Sequence, residues 1–389
     1  MVVALTMRPP TRLPRVLHVV SHLALGGAER VALTLIKSLR SEYEGAVYAV
    51  RGLADGDTGR ALERELAAQG VLLMCGRRIG MRFGGMVISG FGLAKAVRQF
   101  EPDIIHLHTE IPEAAYAVMT AVYPSFRHIP VVRTIHNAVF WDFAPPLARW
   151  CNRRLAGAYC AAVSQGAADA LAALRRRTGA APPPEPTILI RNGLPLPETT
   201  RRAPREVGAQ IELGFGGRLE PQKGADLLPA VLAQTRLPAG RTARLRVFGS
   251  GDLAGVVLAL ADQPPAGWTV ELHAPVADFR QRLREFDLLL LPSRFEGLPL
   301  VAIEAALAGL PIVATRAPGT VEALPGDHPW MARPGDAVDY ARVLTTALAD
   351  EPSWPTAAVA AREFAEARFT ADVMAAGYRD LYQRVWAKR

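Results

Sequence analysis

The stretch Pro292-Ser293-Arg294-Phe295-Glu296-Gly297-Leu298-Pro299-Leu300-Val301-Ala302-Ile303-Glu304-Ala305 follows a short apolar run that ends at Leu291. It reads as a loop opening into a helix. Pro299 suits the first turn, where its missing N–H goes unmissed. Gly309, just ahead of Pro311, ends the helix. A strand, a loop bearing a carboxylate and a helix in succession are the repeating unit of a parallel α/β sheet. Glu304 lies midway along this helix among Leu, Val, Ala and Ile. A carboxylate in such company must find hydrogen-bond donors or give up its charge. A hydroxyl-rich ligand would supply them, and so would a neighbouring Arg.

Around this segment the same alternation continues. Strands are expected over 211–216, 245–248, 269–273, 287–291 and 311–315, with helices over 225–234, 277–286, 299–308, 337–348, 355–367 and 371–388. Upstream, RVLHVVS at 15–21, DIIHLH at 103–108, VVRTIH at 131–136, and the runs 161–164 and 188–190 read as strands, with a helix over 29–39 after a Gly-Gly turn. Pro182–Pro184, Pro186, Pro195, Pro197 and Pro204, with Asn192-Gly193, mark a surface connection between the two series. The chain therefore reads as two Rossmann-like, doubly wound halves, 1–195 and 196–370, facing across a cleft. The last helix, 371–389, returns to the first half. Ligands of such sheets bind beyond the carboxyl ends of the strands.

Composition agrees with a globular α/β protein: 50% of the 389 residues are apolar and 21% charged. No run approaches the ~20 apolar residues of a membrane span. The apolar start, Met1 to Met7, is broken at Arg8, Pro9 and Pro10, too early for a secretory signal, which points to the cytoplasm. Cys75, Cys151 and Cys160 have no metal-ligand spacing and read as free thiols. Up to residue 195 there are 23 Lys+Arg against 14 Asp+Glu, a net of +9; the remainder has 22 against 23, a net of −1. A basic first half attracts phosphates or an anionic membrane surface, or is simply a solvated face. Nothing resembles a nucleic-acid-binding module.

Strand ends of both halves carry candidate site residues. Gly216-Gly217-Arg218-Leu219-Glu220-Pro221-Gln222-Lys223-Gly224 pairs close backbone approach at two glycines with two cations ahead of a helix, an arrangement suited to a diphosphate or to a tight, solvated turn. Phe248-Gly249-Ser250-Gly251-Asp252 is a second glycine turn, and Leu272-His273-Ala274-Pro275-Val276 a third strand end. In the first half Gly26-Gly27-Ala28-Glu29 follows the first strand but lacks the G-x-G-x-x-G spacing of a dinucleotide site. His106 and His108 share one strand face without a clear third metal ligand. Thr134-Ile135-His136-Asn137 ends the next strand. Asp55-Gly56-Asp57 reads as a surface turn. The basic stretches Arg77-Arg78 with Arg82, beside Met81, Phe83 and Met86, Arg149 with Arg153 and Arg154, and Arg175-Arg176-Arg177 are candidate anionic-surface contacts.

The ordered series GRLEPQKG, FGSGD and SRFEGLPLVAIEAALAGLPIVAT resembles the donor domain of glycosyltransferase family 4, retaining enzymes of GT-B fold. Glu296 and Glu304, with seven residues between them, match its E-x7-E signature, and the likeness runs from Gly26 to about Thr315. It implies a metal-independent enzyme that moves a hexose from a UDP- or GDP-sugar to a glycan or lipid-linked acceptor, with no cofactor, in bacterial surface polysaccharide or glycolipid assembly. Such an enzyme would work in the cytoplasm or on the inner membrane face. It also implies roles: Arg218 and Lys223 at the diphosphate, and Glu296 with the Gly297 and Leu298 backbone at the sugar. Leu300 backbone would face phosphate and Glu304 the ribose. Gly26, Gly27, Gly217, Gly249 and Val276 would complete the donor site. His136 would lie at the anomeric centre, with His108 and Asn137 on the acceptor side. An NAD-dependent oxidoreductase and a nucleotide-sugar epimerase of the same fold are the alternatives.

Overall fold

The computed structural model describes residues 12–23, 26–53, 56–78, 84–141, 144–196, 208–276 and 279–388. The start of the chain, Asp55, Met81, Arg82 and Phe83 and the stretch 197–207 lie outside them. Among the described residues, two sheets form, each parallel throughout. The first contains β1 (Arg15–Val20), β2 (Glu44–Ala49), β3 (Leu72–Cys75), β4 (Ile104–His108), β5 (Val131–Ile135), β6 (Tyr159–Ala162) and β7 (Ile188–Leu189), in the order β3-β2-β1-β4-β5-β6-β7. The second contains β8 (Gln210–Gly216), β9 (Thr242–Phe248), β10 (Trp268–His273), β11 (Leu288–Leu291), β12 (Ile312–Thr315) and β13 (Met331–Ala332), in the order β10-β9-β8-β11-β12-β13. The winding direction reverses between β1 and β4 and again between β8 and β11. Each reversal opens a crevice at the carboxyl edge of its sheet.

The two doubly wound halves anticipated from sequence are thus present. β2, β3 and β13 are additions to that reading: β2 opens on Glu44-Gly45 and the other two are very short, so their strand character rests on pairing with a neighbour. Two expected helices are also different: that over 277–286 is α-helical at Phe279–Arg282 and 3-10 over Leu283–Glu285 among the described residues. The stretch 225–234 starts as a 3-10 turn, Ala225–Leu227, and becomes α-helical over Leu228–Gln234, where Pro229 takes a first-turn position.

Each half has its own core, and a further apolar cluster joins them through Phe140, Trp141 and Leu194 of the first half and Phe286, Leu298 and Phe369 of the second. The C-terminal helix Ala371–Ala387 returns to the first sheet, as expected, and packs Met374, Tyr378, Leu381, Tyr382 and Val385 against Val16, Val31, Leu35 and Ile104. Burying side chains of this size contributes roughly 1.5–3 kcal/mol each. Polar ties complete the junction. Leu194 exchanges backbone hydrogen bonds with Phe369 and Ala371. Glu322 accepts from the N–H groups of Gln165 and Gly166 at the start of the helix Gln165–Thr178.

Candidate active site

A cavity of about 650 Å³ lies between the halves, at the carboxyl edges of both sheets. From the first half it is lined by Gly26, Gly27, Ala28, Arg30, His136, Asn137 and Asn192. From the second it takes the turns at Gly217–Arg218, Gln222–Lys223 and Phe248–Ser250, the pair Pro275-Val276, and the run from Glu296 to Val301 with Glu304. Every residue to which the family resemblance assigns a place in the site, except His108, is on this wall. Gly217, at φ +154°, sits where a side chain would be strained and turns the chain out of β8.

The charges on this wall are already matched. Lys223 Nζ donates to both oxygens of Glu296, at 2.7 and 2.9 Å, and Ser293 Oγ donates to Glu296 Oε1 at 2.7 Å. Glu296 is buried, and this three-sided support is what makes a carboxylate tolerable there. Glu304 is buried too, and Arg30 reaches it across the cleft at 2.5 Å. Arg30 is the Arg that the sequence left open as a partner of Glu304. Burial holds the Glu304 carboxyl above its ordinary range, against the opposing pull of Arg30 and Arg280. Arg218 is different: its side chain is 60% exposed and is held by Glu220 at 2.7 Å and Gln222 at 3.0 Å. The helix start expected beside these two cations begins as a 3-10 turn, Ala225–Leu227, and a second such turn, Pro221–Lys223, precedes it. On the second-half wall a well-formed helix N-terminus is that of Leu300–Ala308, with Pro299 one residue earlier than expected, at the N-cap.

On the first-half wall the Glu29 carboxyl folds back over Gly26, and burial pushes it up to about 7 despite the pull of its own N–H and of Arg218. His136 faces the cavity, while His108 is fully buried behind it and does not reach the cleft. That corrects the acceptor-side position expected of His108: it ends β4, but its ring is held inside between His18 and His136. A third imidazole, His18, joins His106 and His108, their nitrogens within 4.8 Å of one another. Sequence reading missed it because His18 and His106 meet only through the β1–β4 register. Hydrogen bonds account for this group. His106 is held between Tyr382 Oη and Thr134 Oγ1, and His108 uses one nitrogen on His18 and the other on His136. A cation would have to break these bonds. Asn192 was also missed, having been read as part of the connecting turn; it is buried on the cavity wall, and its Oδ1 has no partner among the described residues.

The basic stretches divide. Arg175 turns inward to the Cys160 sulfur at 3.3 Å, and Arg177 donates to the Trp141 carbonyl, so neither is a free surface charge. Arg77, Arg78 and Arg153 are exposed, and Met86 packs against the interior.

Two facing Rossmann-like sheets with a cavity at their opposed carboxyl edges, closed by a returning C-terminal helix, define the GT-B class of fold. The profile of Glycosyltransferase Family 4 matches residues 25–196, and that of Glycosyl transferases group 1 matches residues 210–350. The chain belongs to this family of group 1 glycosyltransferases. It is 31% identical over 194 residues to a D-inositol 3-phosphate glycosyltransferase of Stackebrandtia nassauensis, covering 45% of this chain and 42% of that protein. It is 32% identical over 154 residues to a sulfoquinovosyl transferase of Arabidopsis thaliana, covering 39% and 29% respectively. The matched region thus spans less than half the length of these two relatives. Among solved structures, Anabaena HepE in complex with UDP and glucose superposes with a TM-score of 0.76 at 22% identity, over 95% of this chain and all of that one.

Proposed function

We propose that this chain is a retaining glycosyltransferase that moves a hexose from a UDP- or GDP-sugar to an acceptor hydroxyl without a metal ion or cofactor. One observation carries the reading. Lys223 with Glu296, Arg218, Glu304 and the N-terminus of Leu300–Ala308 line a single cavity between the halves. The UDP and glucose bound in the similarly folded HepE support a nucleotide sugar as the ligand.

In this reading the diphosphate meets Arg218, Lys223 and the N–H groups that open the helix Leu300–Ala308, whose dipole favours negative charge. The Phe248 and Pro275-Val276 wall faces the base, and Glu304 shares its oxygens between Arg30 and the ribose. Glu296, held still by Lys223 and Ser293, receives sugar hydroxyls. As the bond from the anomeric carbon to the phosphate oxygen breaks, the fixed cations stabilise the departing diphosphate. The acceptor oxygen bonds to the anomeric carbon on the same face, and its proton passes to the leaving phosphate. His136 shapes the opposite wall, next to Asn137 and Asn192.

The acceptor is a glycan or a lipid-linked glycan, and the setting bacterial surface polysaccharide or glycolipid assembly. Among the described residues no helix is long and apolar enough to cross a membrane. Contact with an anionic membrane surface would fall to the first half, where Val87, Ile88 and Phe91 are exposed on the helix Met86–Phe100 and Arg77 and Arg78 are exposed ahead of it. The Gly26-Gly27 turn, without a dinucleotide fingerprint, disfavours an oxidoreductase. The test is a panel of nucleotide sugars ranked by thermal shift, each hit then assayed for hydrolysis and transfer in EDTA. Activity on a UDP- or GDP-hexose in EDTA supports the reading. Isomerised sugar without acceptor, or a strict metal requirement, contradicts it.

A further inference from the structure

Three imidazoles run in line from the first sheet to the cavity. His18 on β1 meets His108 at the end of β4 through Nδ1 and Nε2, 3.2 Å apart. His108 in turn meets His136, beyond the end of β5, through Nδ1 and Nε2 at 3.0 Å. The ring centroids are 5.4 and 5.3 Å apart and the planes 20° and 30° from parallel. Those separations exceed the nitrogen–nitrogen distances by about two ring radii, so each contact lies near the ring planes, along lone-pair directions, as a hydrogen bond requires.

The bonds cannot be chosen independently. A neutral imidazole has one N–H and one bare nitrogen. If His18 donates from Nδ1, His108 accepts at Nε2 and must carry its proton on Nδ1. It then donates to His136 Nε2, which leaves the His136 proton on Nδ1. The reverse order puts all three protons on Nε2. Burial pushes His18 and His136 down to about 3 and His108 well below its ordinary value, so the rings are neutral at pH 7 and this either-or applies.

The two ends decide the direction. His18 is buried and makes no other hydrogen bond among the described residues. A proton on its Nε2 would have no hydrogen-bond acceptor among the described residues, which is costlier than an unused lone pair. At the other end His136 lines the cavity, where an N–H finds water or a ligand oxygen. We propose that His18 and His108 are positioning residues that fix His136 as its Nδ1–H tautomer, so that the first-half wall presents a neutral hydrogen-bond donor to a hydroxyl or phosphate oxygen of the bound sugar nucleotide. The ligand class rests on the function proposed above; the tautomer does not.

The full chain labelled with ¹⁵N-histidine, studied by long-range ¹H–¹⁵N correlation at neutral pH, tests this. The His136 signals are assigned by their loss in His136→Gln. In the wild type the proton is expected on Nδ1, with Nε2 bare. In His108→Phe, and in His18→Phe at the remote end, His136 is expected to move toward Nε2–H. Transfer is expected to drop about tenfold in kcat, the loss of one hydrogen bond, with a smaller change in donor KM. A wild-type His136 protonated on Nε2 overturns the proposal, even if neither variant folds. So does a folded variant in which the His136 tautomer is unchanged. A wild type that transfers no sugar but has the Nδ1–H tautomer would remove the glycosyltransferase reading and leave the chain of imidazoles standing.

Discussion

A Cβ added to Gly297 would lie 1.8 Å from the carbonyl oxygen of His136. The two halves therefore meet at the cavity through bare backbone, and position 297 has no room for even one methyl group. Gly297→Ala is expected to push the halves apart at the reacting centre while leaving both sheets folded. Transfer should fall at least tenfold, with far-ultraviolet dichroism unchanged. Wild-type kcat/KM in this variant would show that the approach is not needed.

Lys223 and Arg218 share a proposed role but differ in structure, so their loss should look different. Each alanine variant is expected to reduce transfer by ~2–4 kcal/mol of transition-state stabilisation, some 30- to 1000-fold. Lys223→Ala also deprives the buried Glu296 of its cation and should lower unfolding free energy by about 1–3 kcal/mol. Arg218→Ala, at an exposed site, should stay within about 0.5 kcal/mol of wild type. Kinetics and urea melts on the same preparations separate the two effects.

The Arg30–Glu304 pair couples residues 274 positions apart across the cleft. Arg30→Met strands a buried carboxylate, with Arg280 still nearby, and is expected to cost about 2–3 kcal/mol of stability. Adding Glu304→Met should recover much of that. A double-mutant cycle by urea unfolding measures the coupling; additive losses would show that the pair contributes nothing.

The buried histidines predict a direction for acid stability. His18 and His136 have folded values near 3, and His106 and His108 lie well below the ordinary one. Each is depressed on folding, so the unfolded chain binds more protons below about 6.5, and stability is lost as pH falls from there. The slope is up to about 1.4 kcal/mol per pH unit for each histidine. Glu29, raised to about 7, acts oppositely, losing its contribution as pH rises through the 4.5 to 7 range. Urea melts at pH 7, 6 and 5 should show the histidine trend, and His18→Phe should make it shallower. A flat profile would mean these rings are protonated in the fold.

The architecture and most of the cavity wall were legible because they are local. Glycines at strand ends, Pro299 ahead of a helix and Gly309 at φ +69° after it are decided within a few residues. The C-terminal helix announced itself by its apolar spacing. What stayed hidden depends on register or distance. His18 acquires its place only when β1 lies beside β4. Arg30 meets Glu304 only when the two halves face each other, and Asn192 looked like a turn residue until Leu194 docked against Phe369. His108 was placed in the cleft because it ends its strand, and a strand end read from sequence does not tell how deeply the ring is covered.

Isothermal titration of UDP and GDP, in EDTA, into the wild type and into Lys223→Ala asks whether the hollow bounded by Lys223, Arg218, Glu296 and Glu304 holds a nucleoside diphosphate. At least one of the two should bind the wild type, and binding should weaken tenfold or more in the variant. Failure of both to bind the wild type, or equal affinity for the two proteins, would contradict the account.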